Sequence, residues 1–152
     1  MERVSELEND RYSGINEIFE QRKRIYKLSV PFSASKERAL KTLRRSDASF
    51  DDWMRVYDDP ESDPNLKKVS LIEMSKRAVT PSEWKCVYIR STPGPKRSKA
   101  GSNLLEVATL EELIAIRDSD DPDYSLLFKR AAKRRTMKLK ALNNIKILEE
   151  AR

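Results

Sequence analysis

Along most of this chain apolar positions recur three and four residues apart, the spacing that places side chains on one face of a helix. Val4, Leu7, Ile15, Ile18, Phe19, Ile25 and Tyr26 follow it over residues 1–28. A helix is expected there, with an early capping box in Ser5 and Glu8, a break at Gly14 and an end before Pro31. A second helix starts at Ser33 or Ser35 and runs to Arg45 on a short stripe of Ala39, Leu40 and Leu43. Ser49 with Asp52 caps a third, in which Phe50, Trp53, Met54 and Tyr57 form a large apolar face suited to the core or to a protein partner. Asp63-Pro64 opens a fourth over residues 65–78, with Leu66, Val69 and Ile72 turned inward.

The next segment carries two signals. Thr80-Pro81-Ser82-Glu83 has the form of a capping box with proline at the first helical position, which would put Trp84, Val87 and Tyr88 on one helix face. Residues 84–90 are also rich in aromatic and β-branched types, and residues 104–108 could pair with them. We take them as strands. The expected fold class is therefore mainly α, a small helical domain with one β-hairpin at residues 84–90 and 104–108 and a long basic C-terminal helix. The hairpin tip, residues 91–103, is a Gly/Pro/Ser loop whose Lys96, Arg97 and Lys99 supply charge and reach for contacts with phosphates. Thr109 with Glu112 then starts a helix carrying Leu110, Leu113, Ile114 and Ile116.

The last segment has Asp121 as expected N-cap, Pro122 at the first helical position and Asp123 against the positive end of the dipole. Tyr124, Phe128, Ala131, Ala132, Leu139 and Leu142 share one face, with Leu127 and Ile145 at its edge. Arg135, Lys138 and Lys146 point into that sector, and Lys129, Arg130, Lys133, Arg134 and Lys140 complete a helix that is cationic nearly all round. No Asp or Glu lies between Lys129 and Lys140, so ion pairs one turn apart cannot form within the run. A polyanion relieves that self-repulsion, and each phosphate contact releases counterions. The chain divides in this view into a helical domain, residues 1–123, and a basic amphipathic helix, residues 124–152.

Composition narrows the chemistry. Charged residues make up 37% of the 152, apolar ones 38%, and the formal net charge of +6 favours acidic partners. With no histidine and only Cys86, His-dependent triads, the usual zinc sites and an internal disulfide are all excluded. No cofactor or metal is expected. Asp59, Glu61 and Asp63 alternate as calcium ligands do, but Pro64 stands where such a loop needs glycine and Ser70 where it needs glutamate. No apolar run is long enough to span a membrane, and the opening Met1-Glu2-Arg3 is unlike a secretory signal. The expected location is intracellular, cytoplasmic or nuclear, or inside a virion or similar particle. No internal repeat is read from the sequence.

These features favour a non-catalytic nucleic-acid-binding or ribonucleoprotein component, contacting DNA or RNA phosphates through Lys96, Arg97, Lys99, Lys129, Arg130, Lys133, Arg134, Arg135, Lys138 and Lys140. The alternative is an assembly or adaptor subunit, or a homo-oligomer, docking through Phe50, Trp53, Met54 and Tyr57. Residues 65–90 as two helices about a turn would allow a helix-turn-helix, although Glu73 and Arg77 stand where that motif wants apolar residues. Glu83-Trp84-Lys85, with Asp59 or Asp63 upstream, resembles the Asp…Glu-x-Lys arrangement of restriction-like nucleases, which implies a Mg²⁺ site. In that family the upstream Asp ends a hydrophobic strand, whereas Asp59 and Asp63 lie in a Pro-rich acidic stretch. The nuclease is the weakest of the three.

Overall fold

A computed structural model describes residues 16–151, and every regular element in them is an α-helix. In chain order these are α1 (Glu17–Leu28), α2 (Ala34–Arg44), α3 (Phe50–Asp58), α4 (Pro64–Arg77), α5 (Pro81–Arg90), α6 (Pro95–Val107), α7 (Leu110–Arg117) and α8 (Leu126–Glu150). The mainly α class holds. The expected capping box at Ser5 and Glu8 and the break at Gly14 lie outside the described residues.

Short polar side chains set where the helices start. A helix leaves its first N–H groups without internal partners, and an oxygen just ahead of them supplies one. Asn16, Ser33 and Ser125 accept from the backbone N–H of Phe19, Lys36 and Phe128, and Asp63 accepts from Leu66 at 2.7 Å. Ser49 with Asp52, Thr80 with Glu83 and Thr109 with Glu112 form complete capping boxes. Among the described helices only α6 begins without such an acceptor: its N-cap is Gly94, at φ 145°, a conformation that side-chain-bearing residues avoid.

Three expectations are corrected. Residues 84–90 and 104–108 are not a hairpin: the Thr80–Glu83 box nucleates a helix, and Val87 and Tyr88 go inward from α5, as do Ala100, Gly101 and Leu104 from α6. Helical spacing of buried positions outweighs β-branched composition here, because strand propensity is mostly a preference for a packing environment. The expected basic loop shrinks in consequence, since Pro95 starts α6 and leaves only residues 91–94 between helices. Finally, Asp121 does not cap the last helix. Its side chain accepts from Asp123 N–H at 2.9 Å and its carbonyl from Tyr124 N–H at 3.1 Å, a turn that delays the helix to Leu126.

The helices form two compact units, one ending at Arg77 and the other starting at Ala78. In the first, α1 packs on α2 and α3 on α4. Trp53 is fully buried there with Phe19 edge-on at 5.0 Å, among Tyr26, Leu43, Val56, Leu66 and Met74. The Trp53 indole N–H finds no acceptor among the described residues. In the second unit α5 packs on α6, α7 on α8, and α6 also meets α8. Tyr88 stacks on Phe128 at 4.5 Å, with Tyr124 beside both.

A repeat emerges from the helix pairs that the sequence alone did not disclose. The three capping boxes stand about thirty residues apart, within the range of helical-hairpin repeats. Each is followed by a large apolar residue, Trp53, Trp84 or Leu113, and one turn later by Val56, Val87 or Ile116. In the three pairs that open on a capping box, the second helix has a small buried residue at its seventh position: Ser70 in α4, Gly101 in α6, Ala132 in α8. Small size there lets the neighbouring helix come close.

Gly101 shows how close. A Cβ at this position would sit 3.0 Å from a ring carbon of Phe128 and 3.2 Å from one of Tyr88. Gly101→Val is therefore expected to destabilise the C-terminal unit by about 1–3 kcal/mol through overpacking, measured as a lowered urea midpoint followed by tyrosine fluorescence.

Candidate nucleic-acid interface

Helix α8 is 25 residues long, about 37 Å. Its packed side is narrow. Phe128, Ala132 and Thr136 are buried, while Ala131, Arg135 and Leu139 are half-buried. Thr136 is accommodated because its hydroxyl donates to the Ala132 carbonyl at 2.8 Å. Leu127 and Ile145, expected at the edge of the face, are exposed, and all of residues 141–150 are exposed.

On the other side, Arg130, Lys133, Arg134, Lys138 and Lys140 project into solvent, with Lys129 half-buried beside them. Together they line about 16 Å of helix. Among the described residues no ion pair within 4.0 Å engages any of them. Six uncompensated cations on one surface raise the local anion affinity in a way that isolated surface charges do not.

Basic residues of the N-terminal unit are used differently. Lys27 pairs with Asp59 at 3.0 Å and reaches Glu61, Lys36 pairs with Asp63 at 3.3 Å, and Lys23 with Glu20 at 2.9 Å. Arg22 donates to the Thr42 carbonyl and the Ser46 hydroxyl. The acidic stretch after α3 thus neutralises Lys27 of α1 and Lys36 of α2. Asp59 and Asp63 are occupied as well: Asp59 accepts from Glu61 N–H and Lys27, which hold its carboxyl low, and Asp63 caps α4 and accepts from the Tyr26 hydroxyl. Burial, with the Asp63 hydrogen bond and charge, pushes the Tyr26 hydroxyl up to about 12.

The remaining expected site residues divide. Lys96 and Lys99 are exposed at the second and fifth positions of α6, near its start. Two cations near the positive end of a helix dipole are unfavourable there unless an anion joins them. Arg97 is a structural clamp instead of a mobile arm: its guanidinium lies 4.5 Å over the Tyr88 ring and donates to the Asp123 carbonyl at 2.6 Å and to the Ser91 carbonyl. Phe50 and Trp53 are core, and Met54 and Tyr57 are half-buried. Glu83 accepts from the Thr80 and Val79 N–H groups in its capping box, which keeps its carboxyl low, and it lies on a helix where the nuclease motif has a strand.

Two groups went unmarked in the sequence. One is the α6–α8 groove containing Ser102 and Arg135, invisible because its walls come from separate segments. The other is Glu73, which is 4% exposed and is met by Arg77 at 2.6 Å, Arg44 at 2.9 Å and Lys76 at 3.4 Å. A glutamate amid the apolar positions of a helix is the signal that could have found it.

Among the described residues, no cluster of acidic, His or Cys side chains is placed to hold a metal ion, and no helix is long and apolar enough to cross a membrane. Comparison of the chain with protein-family profiles, with characterised proteins and with solved structures gives no match.

Burial works to raise the Glu73 carboxyl, but the hydrogen bonds from Arg77 and Arg44 and the adjacent cationic charge outweigh it, so the group lies below its ordinary 4.5. A depressed folded value means that ionised Glu73 stabilises the fold above that pH, and the contribution fades as pH falls through the folded value. Glu73→Gln should cost about 1.5–3 kcal/mol at neutral pH and flatten the acid limb of a stability-against-pH curve measured by urea unfolding.

Proposed function

We propose that the chain is a non-catalytic nucleic-acid-binding or ribonucleoprotein component that holds phosphates on the exposed side of α8. The observation that carries this reading is the run from Lys129 to Lys140, which contains no acid and, among the described residues, no ion pair, whereas Lys23, Lys27, Lys36, Arg44 and Arg77 of the N-terminal unit each meet a carboxylate. Unrelieved repulsion costs folding free energy, and a polyanion removes that cost while releasing its own counterions. Lys96 and Lys99, at the uncapped start of α6 in the same unit, add to the positive surface. DNA and RNA both satisfy this chemistry.

A second reading has its own support. Beyond the packed part of α8, Leu142, Ile145, Ile147 and Leu148 are each more than half exposed. Apolar residues left open at this density favour an assembly subunit that covers them with protein.

Binding of the full chain to duplex DNA, single-stranded DNA and structured RNA across a salt series separates the two. The expected result is a steeply salt-dependent affinity for at least one of them. Replacing Arg130, Lys133 and Lys140 together by Gln should then reduce the slope of log K against log salt by roughly 2–3, since each lost phosphate contact removes about 0.7–0.9. No affinity for any of the three at low salt would overturn the nucleic-acid reading and leave the assembly one.

A further inference from the structure

Between α6 and α8 runs a groove of about 320 Å³, near the lower end of the volumes that hold ligands. Leu105 and Ala131 form its apolar part, and Ser102, Arg134, Arg135 and Lys138 bring polar groups to it. Arg135 is the unusual member. Its Nε is buried yet has no acceptor among the described residues. A buried charged donor without a partner bears a desolvation cost, which an anion in the groove would lift. Glu106 also lines the groove, but no ion pair ties it to Arg134, Arg135 or Lys138. Three cations therefore face one carboxylate.

We propose that Arg135, with Arg134, Lys138 and Ser102, forms a seat for a single phosphoryl group. This rests on the function proposed above, in which the nucleic-acid backbone supplies the phosphoryl group; free phosphate offers the same chemistry. The seat differs from the open face of α8 in kind. Arg130, Lys133 and Lys140 act through charge and tolerate any arrangement of phosphates, whereas Arg135 is half-buried, lines the groove with Ser102 and Leu105 of α6, and carries a planar donor. Its fork can meet two oxygens of one phosphate, and the Ser102 hydroxyl can donate to a third. One phosphate would thus be fixed in register while the outer cations hold its neighbours.

Arg135→Lys keeps the charge and removes the Nε donor and the planar fork. Ser102→Ala changes an exposed side chain and should leave folding intact, so it decides the matter if Arg135→Lys alters the circular dichroism spectrum. In the full chain each is expected to weaken binding to the nucleic acid that the native protein prefers by roughly tenfold, with the salt slope unchanged. Native-like affinity in both variants, together with weakening in the Arg130/Lys133/Lys140 Gln variant, would sink the seat and spare the polyanion reading. Should the native chain bind no nucleic acid, titration with inorganic phosphate decides: a saturable NMR shift of the Arg135 Nε–H signal, absent in Ser102→Ala, supports the seat with free phosphate as its source. No such shift would overturn it.

Discussion

Most of the regular structure of the described residues depends on short helices being started by side chains and held by what they bury. Isolated helices shorter than about 12–15 residues are marginal in water. α3, α5 and α7 are shorter than that, with 9, 10 and 8 residues. A capping box meets the orphan N–H groups at the start of each, and apolar residues beyond it give the helix something to bury: Trp53 and Val56 in α3, Val87 and Tyr88 in α5, Leu113 and Ile116 in α7. The second helix of each of these three pairs has a small buried residue, Ser70, Gly101 or Ala132, and at Gly101 the rings of Phe128 and Tyr88 come within 3.2 Å of where a Cβ would stand. Cap, bulky residue and small residue are one device used three times with different amino acids.

That device leaves surfaces free, and charge is what distinguishes them. In the N-terminal unit the acidic stretch after α3 folds back on Lys27 of α1 and on Lys36 at the start of α2, and α4 buries Glu73 among Arg44, Lys76 and Arg77. Individually such pairs contribute little when exposed, but the half-buried Glu73 cluster is knit by hydrogen bonds and belongs to the fold. α8 has no counterpart to this. Its cations stand on a helix whose inner side is occupied by Phe128, Ala132 and Thr136, so they cannot turn inward to find partners. Arg134, Arg135 and Lys138 line a groove against α6, where the single carboxylate, Glu106, does not pair with them, and Arg135 alone has its Nε buried there without an acceptor among the described residues.

Much of the helix pattern was legible because it is local. Caps at Ser49 and Thr109, the proline at the start of α4 and the acid-free run of α8 lie within a few residues of what they control. The segment after Thr80 was misjudged for a reason that is also local: Trp84, Val87, Tyr88 and Ile89 suit a pleated surface as well as a helix face, and composition cannot choose. Nothing adjacent to Arg97 in the sequence distinguishes a reaching arm from a clamp, because its partners, Tyr88 and the Asp123 carbonyl, come from elsewhere in the chain. The repeat is hard to read from the sequence because its equivalent positions share little identity: Trp53, Trp84 and Leu113 correspond, as do Ser70, Gly101 and Ala132.

By itself the sequence determined that the chain is mainly helical, where most helices begin, and that one long segment carries cations without acids. Those properties follow from backbone hydrogen bonding within a turn and from charge, which need no distant partner. The tertiary structure alone decided which cations are neutralised, that residues 81–107 pack as two helices, and that Ser102 and Arg135 share a groove. Those outcomes depend on which faces meet, and that is fixed by the summed burial of many residues across helices and not by the local preference of any one of them.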